Sequence, residues 1–194
     1  MEPALALLEF ASIACGIRAA DGMAKRTPLA ALHAGTVHPG KYLVLVTGEV
    51  AEVEEAISAA REWGPVDDLV FLPAVHGEVV RALYGGRRER LGEALGVMET
   101  ATVPAILEFA DAALKGAEVV LTKLAMADGL GGKGYALVTG TLHDVEAAME
   151  IGEERIGDSA RIVARVVVPQ VDERMIENLA APGELALRLP AVEG

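Results

Sequence analysis

The glycine run Gly129-Leu130-Gly131-Gly132-Lys133-Gly134 has the G-x-G-x-x-G spacing with which a loop can hold a dinucleotide's pyrophosphate. That chemistry needs a helix to begin at the loop, so that its N-terminal amides and dipole face the phosphates. Here Tyr135-Ala136-Leu137-Val138 follows, an apolar run that reads as a strand. The phosphate loop G-x-x-x-x-G-K-[ST] fails too, with Ala127 where its first glycine belongs and Gly134 where its hydroxyl belongs. Glycine at this density implies instead a backbone at positive φ or in close approach to another chain.

The other reactive residue types are just as sparse. His33, His38, His76 and His143 include no pair at metal-ligand helical spacing and none beside a cysteine, so each reads as a surface or satisfied histidine. Cys15 is the single cysteine, which excludes an internal disulfide, fits a reducing compartment and reads as a small packed hydrophobe. No G-x-S-x-G occurs, and no two carboxylates are paired in an apolar setting as acid–base catalysis requires. The expectation is no catalytic residue, no metal and no cofactor.

The elements that would position these residues come in two copies. Residues 37–48 and 128–140 share one plan: a turn-rich loop ends in Gly-Lys (Gly40-Lys41, Gly132-Lys133), an apolar run holding a Tyr follows (Tyr42, Tyr135), and Val-Thr-Gly closes it. Glu9, Ala20-Asp21 and Lys25 fall on Glu99, Ala110-Asp111 and Lys115 at an offset that then drifts upward through small loop insertions, as two copies of one domain would accumulate. The reading is a first domain over 1–86, a linker over 87–93, a second domain over 94–182 and a tail over 183–194.

Composition agrees with small aliphatic packing, since 52% of residues are hydrophobic but only 4% aromatic. The net charge is −12, and both halves are acidic, with 6 Lys/Arg against 11 Asp/Glu up to Gly86 and 11 against 18 beyond it. That excludes the basic stripe of a nucleic-acid binder; the short cluster Arg87-Arg88-Glu89-Arg90 reads as a solvated linker. No apolar stretch approaches a membrane span of about 18 residues, and the N-terminus lacks the basic leader of a signal peptide.

Within each half the periodicity gives strand, helix, strand, strand, helix, strand and a short terminal helix. First strands are expected over 5–10 and 95–99, second strands over 29–33 and 119–124, third strands over 42–46 and 135–138, and fourth strands over 69–72 and 162–168. The first helix, over 12–25, would turn Ile13, Ile17, Ala20 and Ala24 inward and Arg18, Asp21 and Lys25 outward. Its counterpart has Thr102 to cap it, Pro104 in its first turn and a polar face of Glu108, Asp111 and Lys115. Second helices over 51–62 and 144–155 bury Val53, Ala56, Ile57 and Ala60, and Val145, Ala148 and Met149. Tail helices start near His76 and Asp172. The fold class is α+β: two tandem ferredoxin-like βαββαβ domains with antiparallel sheets, helices on one face and a short C-terminal helix each.

The order Glu9, Ala20-Asp21 with Lys25, a glycine-containing loop, Val44-Leu45-Val46-Thr47-Gly48-Glu49-Val50, then Pro73 to His76 resembles the shell-protein (BMC) domain of bacterial microcompartments. Leu95-Gly96-Val97-Met98-Glu99-Thr100, Ala110-Asp111-Ala112-Ala113-Leu114-Lys115 and Gly131-Gly132-Lys133-Gly134 resemble it more closely. The resemblance spans residues 4–179 and implies a tandem-domain, single-layer shell protein. Such a protein is a homotrimer forming a flat pseudohexamer with a central pore, and it tiles with other shell proteins around enzymes in the bacterial cytoplasm. It maps tile-edge lysines onto Lys25 and Lys115, and pore loops onto Thr36, Val37, His38, Pro39 and Gly40 and onto Asp128, Gly129, Leu130, Gly131 and Gly132.

Two departures stand out. The tile-edge arginine of the family is Ala74 in one half and Gln170 in the other, and neither loop has the cysteine on which some relatives hold an iron–sulfur cluster. Alternating around a three-fold axis, the loops would bring His38 and Asp128 to a pore for small polar metabolites whose potential changes as histidine titrates. The other reading, from a different class, is a ligand-binding or enzymatic ferredoxin-like protein with a site between the halves; a third is a redox carrier of the shell.

Overall fold

A computed structural model of the chain describes residues 3–86 and 92–180. The first half runs β1 (Ala4–Phe10), α1 (Ile13–Arg26), β2 (Ala31–Val37), β3 (Lys41–Gly48), α2 (Val50–Arg61), β4 (Asp68–Leu72) and α3 (Gly77–Leu83). The second repeats it as β5 (Ala94–Thr100), α4 (Val103–Gly116), β6 (Val120–Met126), β7 (Gly134–Gly140), α5 (Leu142–Ile156), β8 (Ile162–Val168) and α6 (Glu173–Ala180). A 3-10 turn at Ser159–Arg161 precedes β8. The basic cluster at 87–90 and linker residue 91, the last two residues of the expected second domain (181–182) and the expected tail over 183–194 lie outside the described residues.

Each half forms a four-stranded antiparallel sheet, ordered β2-β3-β1-β4 and β6-β7-β5-β8. The repeat sets the register. Leu5 faces Leu72 and Leu7 faces Val70 across β1 and β4, while Leu95 faces Val168 and Val97 faces Val166 across β5 and β8. Side chains alternate across the pleat, so Ala6, Leu8 and Phe10 pack under α1 and α2, and Leu5 and Leu7 point to the opposite face. That opposite face is not open in the first half. Leu5, Leu7, Val70 and Leu72 join one core with Val103, Leu107 and Ala110 of α4 and with Met98, Val138 and Met149 of the second half.

Helix packing depends on small residues. Phe109, fully buried on α4, lies over Gly152 of α5, where an added Cβ would come within 2.6 Å of the ring Cε2. Val53, Ala56, Ile57 and Ala60 of α2 and Val145, Ala148 and Met149 of α5 are buried, as their spacing predicts.

Four expectations differ from the structure. Helix α1 buries Gly16, Ala19, Ala20 and Met23, whereas Ile13, Ile17 and Ala24 are exposed. Small residues let the helix sit close to its own sheet, which turns the large ones outward. Thr102 stands at the N-cap of α4 without capping it; its hydroxyl bonds Asp68. The supposed polar face of α4 is shielded at Asp111, which is buried, and at Glu108, which is largely so, because it meets the first half; Lys115 stays exposed. Strand β2 starts two residues later than expected and ends four later, and β6 starts one later and ends two later, so Thr36 and Val37 are strand residues paired with Tyr42 and Lys41. Pairing continues until Pro39, which has no N–H to donate.

Candidate functional site

The β2–β3 hairpin closes at the Val37–Lys41 pair, leaving His38, Pro39 and Gly40 as the loop. Gly40 takes φ +108°, and its amide donates to the Val37 carbonyl at 2.9 Å. The β6–β7 hairpin closes at Met126–Gly134 and is longer. Its carbonyl at Ala127 accepts from the amides of Leu130 (3.0 Å) and Gly132 (3.2 Å), and the Ala127 amide donates to the Lys133 carbonyl at 2.8 Å. Positive φ at Gly129, Gly131 and Gly132 is what this coil requires, so the glycine run is explained by loop conformation, and a strand follows it.

The two loops touch. Asp128 Oδ1 accepts from the His38 amide at 2.9 Å and lies 3.3 Å from His38 Nδ1. The Asp128 carboxyl is held below its ordinary range, chiefly by that backbone hydrogen bond and then by the His38 ring. The Gly132 backbone lies against Pro39, where a Cβ would sit 2.8 Å from Pro39 Cδ. Both side chains of the pair are exposed.

Below the loops, each Gly-Lys anchors its hairpin to a strand glutamate: Lys41 pairs with Glu9, and Lys133 pairs with Glu99 at 2.7 Å. Glu9 is fully buried, and its second oxygen accepts from the Val103 amide at 2.9 Å, capping α4 from the other half. Asp68 on β4 also crosses between halves to Arg161, whose Nη1 donates to Glu108 at 3.0 Å. The sequence marks Glu9 only as a point of the repeat and of the family resemblance, with no capping role, and it does not single out Asp68 or Arg161. The available signal was a glutamate at the same place in two otherwise apolar strands.

The lysines lie at the far ends of α1 and α4. Lys115 bonds Asp111 at 2.6 Å and the Ala74 carbonyl of the first half at 2.5 Å, while the Asp111 carboxylate accepts from the His76 amide at 2.8 Å. Lys25 bonds only Asp21 among the described residues, at 2.6 Å, and both are exposed. Cys15 is half-buried beside Gly64.

Among the described residues no group of His, Cys, Asp and Glu is arranged to hold a metal ion, and no helix is long and apolar enough to cross a membrane. An apolar hollow of about 310 Å³ does lie between the halves, where His33 meets Tyr84 edge-on near Met126. Among the described residues its lining includes no carboxylate, and His33 Nε2 lies 3.5 Å from the Tyr84 hydroxyl.

The BMC domain family matches twice, over residues 4–72 and 94–171. The chain is 36% identical to the bacterial microcompartment shell protein PduT of Citrobacter freundii, over 90% of this chain and 96% of that one. It is 29% identical to the carboxysome assembly protein CcmO of Synechocystis sp., over 92% of this chain and 63% of that one. A crystal structure of a microcompartments protein from Desulfitobacterium hafniense superposes with TM-score 0.78 at 33% identity, covering 91% of this chain and 99% of that one. A fused permuted hexameric shell protein from the RMM microcompartment, 21% identical with TM-score 0.58 over 80% of this chain and 84% of that one, shares the fold. The role of such a chain is structural rather than enzymatic, which displaces the enzyme reading of the cleft between halves. Two matched domains over most of the chain, with this sheet order in each, place it in the BMC domain family, as a shell protein of a bacterial microcompartment.

Proposed function

We propose that three copies close into a single-layer pseudohexamer, six domains around a central pore, and that this ring tiles with other shell proteins around enclosed enzymes in the bacterial cytoplasm. Two repeats per chain turn a six-fold ring into three-fold symmetry, and ring closure covers the lateral faces that a small domain cannot cover alone. The domains are taken as 1–86 and 94–182, joined by 87–93 and followed by a tail over 183–194. The pore is lined by Thr36, Val37, His38, Pro39 and Gly40 and by Asp128, Gly129, Leu130, Gly131 and Gly132. Lys25 and Lys115 stand at the tile edge.

One observation carries this reading. The loops of the two halves meet tip to tip through His38 and Asp128, as neighbouring loops around an opening must. Alternating round the ring, three such pairs put imidazole and carboxylate at the mouth, which suits small polar metabolites. Light scattering should give about three chains, and negative staining at higher concentration should show flat tiles or sheets. In reconstituted shells, His38→Ala and Asp128→Ala should alter the relative passage of small anions and cations. Unchanged passage in both would remove the loops from the pore, and a monomer that never assembles would remove the ring.

A further inference from the structure

Leu7 of β1 and Leu43 and Leu45 of β3 share the outer face of the first sheet and form the floor of the apolar hollow of about 310 Å³, with Leu83 at the end of α3 and Met126 of the second half as its walls. The repeat shows this space to be a departure from the common plan. Across the pleat His33 stands opposite Leu45 and Gly35 opposite Leu43; in the second half the same places pair Lys123 with Leu137 and Ala125 with Tyr135. There the Lys123 ammonium lies 5.4 Å from the centre of the Tyr135 ring, so a cation and an aromatic ring stand over the surface that the first half leaves bare. The first half has its tyrosine one place earlier, at Tyr42, which packs under α1 against Gly16 instead. Gly35 widens the opening: an added Cβ would meet nothing within 4 Å among the described residues, and its φ is not positive.

One end of the hollow is polar. His33 Nε2 lies 3.5 Å from the Tyr84 hydroxyl, with the two rings edge-on at 80°. That is long for a bond between a hydroxyl and an imidazole nitrogen, so both groups keep hydrogen-bonding capacity, and together they offer a donor and an acceptor. The lining among the described residues includes no lysine, arginine, aspartate or glutamate. A charged ligand would lose water there without meeting a counter-charge. An apolar cavity of about 150 Å³ holds one benzene, so the hollow has room for a six-membered ring carrying a short chain.

We propose that this hollow is a binding site for an uncharged small molecule with an apolar body and one hydroxyl group, an alcohol or a phenol. The body lies on Leu7, Leu43 and Leu45 in the space beside Gly35, and the hydroxyl donates to His33 Nε2 while accepting from the Tyr84 hydroxyl. The site is complete within one chain and uses neither His38 nor Asp128, so it goes beyond the ring and its pore and is tested independently of both.

The test follows the backbone amide resonances of the full chain, in whatever assembly it forms, as benzyl alcohol is added. Gly35, Leu45 and Tyr84 should shift saturably with a dissociation constant of about 1 mM, the strength expected of so small a ligand. Benzoate and benzylammonium, of similar shape but charged, should bind at least about tenfold more weakly. Gly35→Leu puts a side chain into the hollow and should abolish the shifts at Leu45 and Tyr84 while the strand and the cooperative melt are kept. Tyr84→Phe removes only the hydroxyl of an exposed ring, and should weaken benzyl alcohol about two- to tenfold while leaving the binding of toluene unchanged. Absence of saturable shifts at these amides overturns the site, and so does binding that Gly35→Leu leaves intact. Equal binding of benzoate or benzylammonium overturns the ligand class, and an equal loss of benzyl alcohol and toluene in Tyr84→Phe overturns the role of the hydroxyl.

Discussion

The Glu9 carboxylate accepts from the Val103 amide at 2.9 Å, so a strand of the first half caps the first helix of the second. Its other oxygen holds Lys41, at the base of the first loop, and Glu9 has no exposure to solvent. Glu9→Ala would leave an orphan helix terminus and a half-shielded ammonium. Removing one partner of such a pair costs about 3–5 kcal/mol. The expected result is a marked fall in denaturant midpoint, measured against Lys133→Ala, whose pair with Glu99 is the more exposed and should cost about 0–1 kcal/mol. Equal losses would remove Glu9 from its capping role.

The loop contact should depend on pH through Asp128. Its carboxyl has a folded value below the ordinary 3.8, because the charged form accepts from the His38 amide. A lowered carboxylate contributes stability that is complete above its unfolded value and is lost as pH falls through the folded one. The melting difference between wild type and Asp128→Ala is therefore expected to be constant near neutrality and to shrink below pH 3.8. A difference that grows on acidification would contradict the hydrogen bond as its cause.

Gly152→Ala tests the crossing of α4 and α5. Alanine is the better helix former by about 1 kcal/mol, which favours the substitution. Against it, the new methyl meets the ring of Phe109, which is fully buried and cannot swing away. Overpacking of a close-packed core costs about 1–3 kcal/mol, so the net effect should be destabilising. A raised melting temperature would mean that the helices separate freely.

Periodicity and the repeat made the elements, their order and most inward residues of α2 and α5 legible, because a residue in a strand or helix follows a period whatever its neighbours are. The docked faces were not legible. Helix α1 has a small stripe of Gly16, Ala19 and Ala20 and a large one of Ile13 and Ile17, and hydrophobicity alone favours the large one. Only the shape of the sheet beneath selects the small stripe. Thr102 looked like a cap by residue type, yet Asp68 takes its hydroxyl and Glu9, ninety-odd residues away in sequence, takes over the helix terminus. In the candidate site, the loop residues could be named from the Gly-Lys repeats, but the meeting of His38 with Asp128 depends on how the halves dock.

Arg161 belongs to the seam between the two halves of the chain. It lies between Asp68 of the first half and Glu108 of the second, all three largely shielded, and Arg155 bonds the other Glu108 oxygen at 3.3 Å. The matching positions at the proposed chain–chain contact hold Pro65 for Arg161, Ala164 for Asp68 and Arg18 for Glu108, so that network has no second copy. Arg161→Met should leave the shielded Asp68 carboxylate without a cation and Glu108 with Arg155 alone, at a cost of about 3–5 kcal/mol in the melting of each chain. In the ring proposed above the contact between chains would use none of these groups, so the mass of the folded assembly should stay unchanged. Unfolding by denaturant and light scattering on the same variant separate the two effects. A loss of assembly mass with an unaltered melt would place Arg161 in the contact between chains instead.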